Sequence, residues 1–259
     1  MRCKTLIHFA VLFVVSISLM VSITQAQEQE QIKSELRFIR KAVVQPSNSV
    51  EYEALIKKMV QMCREYKVKY PWYALRGENY NYLFVVPFNN HADIDEYYAY
   101  KNDLYKTEGW RDLQKKSRPL YESLSDVIFN TCPELTYKPD SPRLKPGEGN
   151  FRRIKYITIH NGKMSEAKKV VKEMVALYKE CGIADGISVQ ESDIGPEFPM
   201  LVFIDGGKDR ADYYNIRVKN YEKTGNKIND LWKKFIPLIR KYEVFHSTYL
   251  PELSYIPEK

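Results

Sequence analysis

The apolar pattern of residues 52–66 returns at residues 167–181, and no other feature of the 259-residue sequence restricts its fold so tightly. The first stretch carries Tyr52, Leu55, Ile56, Met59, Val60, Met62, Cys63 and Tyr66. At a constant offset of 115, the second carries Ala167, Val170, Val171, Met174, Val175, Leu177, Tyr178 and Cys181. Spacings of three and four residues put each set on one face of a helix. At an offset of 118, Leu83–Val86 aligns with Leu201–Ile204, and Pro119-Leu120 with Pro237-Leu238. The closing segment Pro133-Glu134-Leu135-Thr136-Tyr137-Lys138-Pro139 matches Pro251-Glu252-Leu253-Ser254-Tyr255-Ile256-Pro257 in five of seven positions. A duplicated unit of this size is one module written twice.

Each copy reads as strand, helix, strand, strand, helix, strand. The first strand spans 36–44, and a helix opens near Asn48 or Ser49, both good caps. Strands follow near 72–76 and 80–87. Helical sequence then runs from Ala92 to about Phe129, broken near Gly109, and a short strand closes the copy near 134–138. Copy two gives a strand at 154–160, a helix to Glu180, strands near 187–190 and 200–205, helices to about Phe245 and a strand near Leu253. Pro119 and Pro237 must kink or end their helices. The Pro- and Gly-rich segment 139–153 is a linker. The division is therefore residues 36–138 as module 1 and 154–257 as module 2.

That order is the split βαββαβ unit, a four-stranded antiparallel sheet with helices on one face. Its bare face needs a cover, and two copies can cover each other. The expected fold is α+β: two tandem ferredoxin-like modules packed sheet to sheet as an intramolecular α/β barrel. In module size, order and pairing the chain resembles the dimeric α/β-barrel superfamily, of the NIPSNAP-like and antibiotic-monooxygenase-like kind. The resemblance implies a monomer with internal pseudo-twofold symmetry. It also implies an alternative function, a cofactor-independent or haem-linked oxygenase.

Arg2 and Lys4 precede an uncharged, mostly apolar run from Leu6 to Val21, and Thr24-Gln25-Ala26 is a small-x-small boundary. This is the layout of a secretory leader over residues 1–26, followed by a polar N-terminus at 27–35. The run is also long enough for a retained anchor. Cleavage makes the protein secreted or periplasmic, with no membrane partner. Losing Arg2 and Lys4 lowers the net charge from +7 to +5, with opposite signs interleaved, so nucleic acid is not an indicated partner. Cys63, Cys132 and Cys181 share no C-x-x-C spacing, and Cys63 and Cys181 fall on core-facing helical positions.

No nucleophile, phosphate-loop or metal motif stands out. Alternation on the first strand of copy two puts Ile157 and Ile159 against helices, and Tyr156, Thr158 and His160 towards a cleft between the sheets. His91 falls at a helix start and His246 near a helix C-terminus. Among the many aromatics, Trp72 and Tyr82 accompany Arg40 and Arg76 on or beside strands, and one of the two arginines could hold an anionic ligand. The candidate ligand residues are Tyr156, Thr158, His160, Arg40, Trp72 and Tyr82, with no metal ligands and no cofactor assigned. The leading expectation is a secreted small-molecule-binding or interaction protein with an aromatic-lined cleft between the two sheets, any ligand being small and apolar or aromatic. On the last helix, copy two has Ile228, Leu231, Trp232, Phe235 and Ile239 where copy one has Trp110, Leu113, Gln114, Ser117 and Tyr121. This makes copy two the more apolar, structural half.

Overall fold

The computed structural model describes residues 35–258, apart from 146 and 196. The leader expected at residues 1–26, and nearly all of the polar N-terminus at 27–35, lie outside the described residues. Module 1 contains β1 (Leu36–Val44), α1 (Ser49–Glu65), β2 (Tyr73–Gly77), β3 (Asn81–Phe88), α2 (His91–Leu104), α3 (Glu108–Ser117) and β4 (Tyr121–Thr131). Module 2 contains β5 (Phe151–Ile159), α4 (Met164–Glu180), β6 (Ser188–Ile194), β7 (Met200–Gly207), α5 (Arg210–Phe235) and β8 (Ile239–Tyr249). The strands close into one antiparallel barrel in the order β1-β3-β2-β8-β5-β7-β6-β4. The α+β class and the tandem ferredoxin-like arrangement are as the repeat predicts.

The fourth strand of each module differs from expectation. Tyr121–Thr131 and Ile239–Tyr249 are strands, where the sequence predicted helix to Phe129 and Phe245. Both strands are largely exposed, so their residues carry little of the apolar alternation that marks a half-buried strand. Pro119 and Pro237 sit in 3₁₀ turns that end the helices before these strands. His246 accordingly lies on β8, not at a helix end. In module 1 the helical region breaks between Leu104 and Glu108 rather than at Gly109. Module 2 kinks at the equivalent point, where Gly225 has φ 55°.

The closing Pro-Glu-Leu segments are not strands either. Pro133–Leu135 and Pro251–Leu253 are 3₁₀ turns, and beyond them the two tails are exchanged. Tyr137 bridges Ile187 in module 2, and Tyr255 bridges Trp72 in module 1. Tyr137 donates its hydroxyl to the Ile183 carbonyl at 2.6 Å, and Tyr255 donates to the Val68 carbonyl at 2.7 Å. Leu135, fully buried, joins the module 2 core, and Leu253, equally buried, joins that of module 1. The near-identity of these segments therefore encodes a reciprocal clasp. The linker also ends sooner than expected: β5 begins at Phe151, so 151–153 belong to module 2.

Register corrects the alignment of the third strands. Leu36 pairs with Phe88 in module 1, and Phe151 with Gly207 in module 2. The offset between β3 and β7 is thus 119, not 118, and Phe84 corresponds to Phe203. A one-residue slip exchanges the two faces of a strand. With the correct offset, Phe84 and Phe203 both face helices.

The space between the two half-sheets is filled. Ile39, Leu83, Phe129, Ile154, Met200 and Val202 form one buried cluster, joined by Leu75, Val85, Tyr156 and Phe245. These are the strand positions that alternate with the helix-facing ones. Packing here is close enough that a Cβ on Gly77 would clash with two edge carbons of the Phe245 ring. Gly77→Ala is expected to cost about 1–3 kcal/mol through overpacking; denaturant unfolding checks this, and no change in midpoint would contradict it.

Candidate functional site

The space expected to be a cleft between the sheets is filled by the barrel core; an aromatic-lined cavity lies instead on the other side of the module 1 sheet. It occupies about 180 Å³ between the outer faces of β1 and β3 and helices α1–α3. Its origin is legible in the repeat. Gln114 and Ser117 of α3 line the cavity, whereas Trp232 and Phe235 stand at those positions in module 2. There the larger side chains complete a single continuous core, with Phe235 fully buried. In module 1 the helix–sheet layer divides into three smaller clusters. The sequence asymmetry therefore identifies the packed half, and by subtraction the half with space.

The floor of the cavity is Phe38 and Arg40 on β1 with Phe84 and Val86 on β3; Tyr97 and Lys101 come from α2 and Trp110 from α3. Arg40 is held across the sheet by Asp126, with Nε donating to Oδ1 at 2.8 Å and Nη2 to Oδ2 at 2.6 Å. This two-point pair keeps the guanidinium charged and fixed.

Lys101 is placed differently. Its Nζ lies 5.5–5.6 Å from the ring centres of Tyr97, Tyr98 and Tyr105. Among the described residues it has no carboxylate partner. Burial, then the nearby Arg40 charge, draws its pKa down from 10.5 to about 8. The Cys63 thiol is pushed up to about 12 by burial, so it is not a thiolate nucleophile at neutral pH. The indole N–H of Trp110 is buried without a protein acceptor. The cavity thus presents one fixed cation and one amine that can be neutral or charged, both against aromatic walls.

The six predicted residues do not converge. Arg40 and Trp72 line the cavity, and Trp72 donates its indole N–H to the Leu253 carbonyl at 2.9 Å. Tyr82 is fully buried beside it, under the Tyr52 ring, with its hydroxyl donating to Glu53 Oε1 at 2.8 Å. Tyr156 is inside the barrel, where burial raises its phenol to about 12. Thr158, also buried, donates to Glu197 Oε2 at 3.2 Å. His160 is exposed beyond the end of β5. Lys101, Tyr97 and Trp110 were not singled out as ligand residues. The one signal for them was the α3 asymmetry, because their approach to Arg40 depends on how α2 and α3 lie on the sheet.

Elsewhere, His91 pairs with Asp193 at 2.6 Å, and the Asp93 carboxylate accepts from the Asn89 backbone N–H at 2.9 Å, a helix-capping arrangement. Among the described residues no group of three or more His, Cys, Asp or Glu is placed to hold a metal ion. Among them, too, no helix is long and apolar enough to cross a membrane.

No protein-family model and no curated protein matches the chain. Solved structures do. A protein of Lactobacillus acidophilus assigned as a monooxygenase aligns with a TM-score of 0.55 at 9% identity, covering 86% of this chain and 97% of its own. An anthrone oxidase-like protein aligns with a TM-score of 0.59 at 11% identity, covering 85% and 92%. A chlorite dismutase variant of Candidatus Nitrospira defluvii aligns at 0.51 and 9%, covering 86% and 93%. At such identities the likeness concerns architecture, and together with the closed eight-strand barrel it gives this chain the fold of the dimeric α/β-barrel superfamily, with both modules in one polypeptide.

Proposed function

We propose that the module 1 cavity is the active site of an oxygenase acting on a small, acidic aromatic compound of the hydroquinone type. The observation that carries this reading is Lys101, an amine poised near pH 8 inside an aromatic cavity, beside a fixed guanidinium. Neutral Lys101 can take a phenolic proton, and the resulting ammonium and Arg40 then face the phenolate. An ionised hydroquinone is electron-rich enough to reduce oxygen itself. One oxygen atom enters the ring, the other leaves as water, and the substrate supplies all the electrons. The monooxygenase and anthrone oxidase-like neighbours support this reaction class by analogy of fold.

Haem does not fit this site. No histidine lines the cavity, and 180 Å³ is below the roughly 300–1,000 Å³ of sites for drug-sized molecules. The test is oxygen uptake with 1,4-dihydroxynaphthalene, with product mass read in parallel. Uptake above the uncatalysed rate, reduced at least tenfold in Lys101→Met, is expected. A rate equal to the protein-free control would overturn the oxygenase reading. Quenching of the cavity tryptophans by the same compound, without oxygen uptake, would instead favour the binding-protein reading of the same cavity.

We also propose that residues 1–26 are a cleaved leader, that the mature chain is secreted or periplasmic, and that it is a monomer. The intramolecular closure of the barrel supports the last point, because the second module occupies the place of a partner subunit. Native mass spectrometry of exported protein should give one chain lacking 26 residues; an intact N-terminus or a dimer mass would contradict it.

A further inference from the structure

Where module 1 is apolar, the equivalent ground in module 2 is cationic. By register and helix offset, Phe38, Ile94, Tyr98 and Leu124 correspond to Arg153, Tyr213, Arg217 and Tyr242. Arg153 and Arg217 each direct an Nη1 donor at the Tyr213 hydroxyl, at 3.4 and 3.1 Å. Arg153 also donates through Nη2 to the Tyr242 hydroxyl at 3.3 Å. Tyr213 passes its own proton towards Asp205 Oδ1 at 3.1 Å, and Asp205 Oδ2 accepts from Lys155 at 2.9 Å.

The charges in this network do not balance. Arg153, Lys155 and Arg217 are three cations, and Asp205 is the one carboxylate they share. Among the described residues neither arginine has a carboxylate partner of its own. The buried Nε–H of Arg153 has no acceptor at all. Asp185, across the adjoining cavity of about 70 Å³, is already taken by Arg143 and Asn220. Two guanidinium groups brought to one hydroxyl repel each other in a partly buried setting, and an anion is the group that would relieve them.

We propose that Arg153 and Arg217, between β8 and α5, form a second site that binds one oxyanion group of a small molecule, a carboxylate or a phosphate. The Nε–H of Arg153 and the Nη hydrogens not given to Tyr213 or Tyr242 supply the hydrogen bonds, with the Arg217 guanidinium also 5.5 Å from the Tyr221 ring centre. The exposed Tyr242, whose hydroxyl accepts from Arg153, is available to the rest of such a ligand. This site is built from residues that module 1 does not duplicate, and it does not depend on the oxygenase reading.

Arginine labelling of the whole protein with phenylglyoxal, read by peptide mass spectrometry, tests this without any substitution. Sodium benzoate and inorganic phosphate at 10 mM are the two probes. At least one is expected to slow labelling of Arg153 and Arg217 about fivefold or more, while exposed Arg111 labels at an unchanged rate. Stronger protection by benzoate assigns an organic carboxylate, and stronger protection by phosphate assigns a phosphoryl group. Equal labelling of both arginines with and without either probe overturns the proposal. In parallel, the protecting anion should raise the melting temperature of the wild type and not of Arg217→Gln. An equal rise in both proteins would place the anion elsewhere and also overturn it.

Discussion

Asp205→Ala is expected to destabilise the protein by about 3–5 kcal/mol, the cost of leaving a buried cation without its partner. Lys155 and Asp205 side chains are 6% and 12% exposed, and they meet at 2.9 Å under the helices of module 2. Without the carboxylate, the Lys155 ammonium would face Arg153, Arg217 and the ring of Phe203, with its centre 5.6 Å away. Burial already lowers the Lys155 pKa in the intact pair. In Asp205→Ala the amine should therefore be neutral when folded and protonated when unfolded. Between the two pKa values the unfolded chain binds the extra proton, so stability rises with pH. The deficit of the variant should accordingly shrink between pH 7 and pH 10. The double variant Lys155→Met/Asp205→Leu removes both charges and should lie within about 1 kcal/mol of the wild type, or above it. Guanidinium unfolding of the three proteins decides the matter. Equal midpoints for Asp205→Ala and the wild type would mean that the pair is wet and weak.

Lys101→Met should act in the opposite direction on stability while abolishing activity. The folded amine releases its proton near pH 8, and the unfolded one near about 10.4. Below pH 8 the ammonium is held in the cavity at a cost. Stability contributed by the neutral amine appears as pH rises from 8 and is complete above the unfolded value. Methionine has similar bulk and no charge. At pH 7 it is expected to gain roughly 1–2 kcal/mol, after discounting for partial exposure and the tyrosine rings around Nζ. That corresponds to a rise in melting temperature of about 3–6 °C for a protein of this size. The gain should fade above pH 10.5. Oxygen uptake by the wild type should climb with pH through about 8, as the neutral amine accumulates, and the variant should show no such limb. A variant that melts lower at pH 7 would mean that the amine stabilises the cavity, and the proposed base would lose its main physical support.

The two modules differ in the helix–sheet layer of a shared architecture. Arg40 and Lys155 are equivalent residues on equivalent strands. One is tied to Asp126 at the edge of an apolar cavity, and the other to Asp205 within a packed polar network. A duplicated fold can keep one copy as a rigid support and leave space in the other, because filling or emptying a helix–sheet layer takes few substitutions. Here Gln114 and Ser117 against Trp232 and Phe235 account for much of the difference.

The order of elements up to the last strand of each module, the face of each first helix and the pairing of two modules were legible in the sequence. They depend on periodicity along the chain and on a repeat that needs no neighbour to be seen. Even Leu36–Val44 is legible to the residue, because its apolar run is bounded by the polar residues Glu35 and Gln45. The exposed strands Tyr121–Thr131 and Ile239–Tyr249 were not legible, since a strand stabilised mainly by backbone pairing on both sides leaves little pattern in its side chains. The offset of 119 between β3 and β7 was equally hidden. Two adjacent apolar runs align almost as well one residue out of register, and hydrogen bonding to β1 and β5 selects between them. The filled barrel interior, the exchange of the Pro-Glu-Leu tails and the meeting of Lys101 with Arg40 were settled by tertiary structure alone. Each depends on which surfaces come together across roughly forty residues of sequence or more, and contact at that range is a property of packing, not of local pattern.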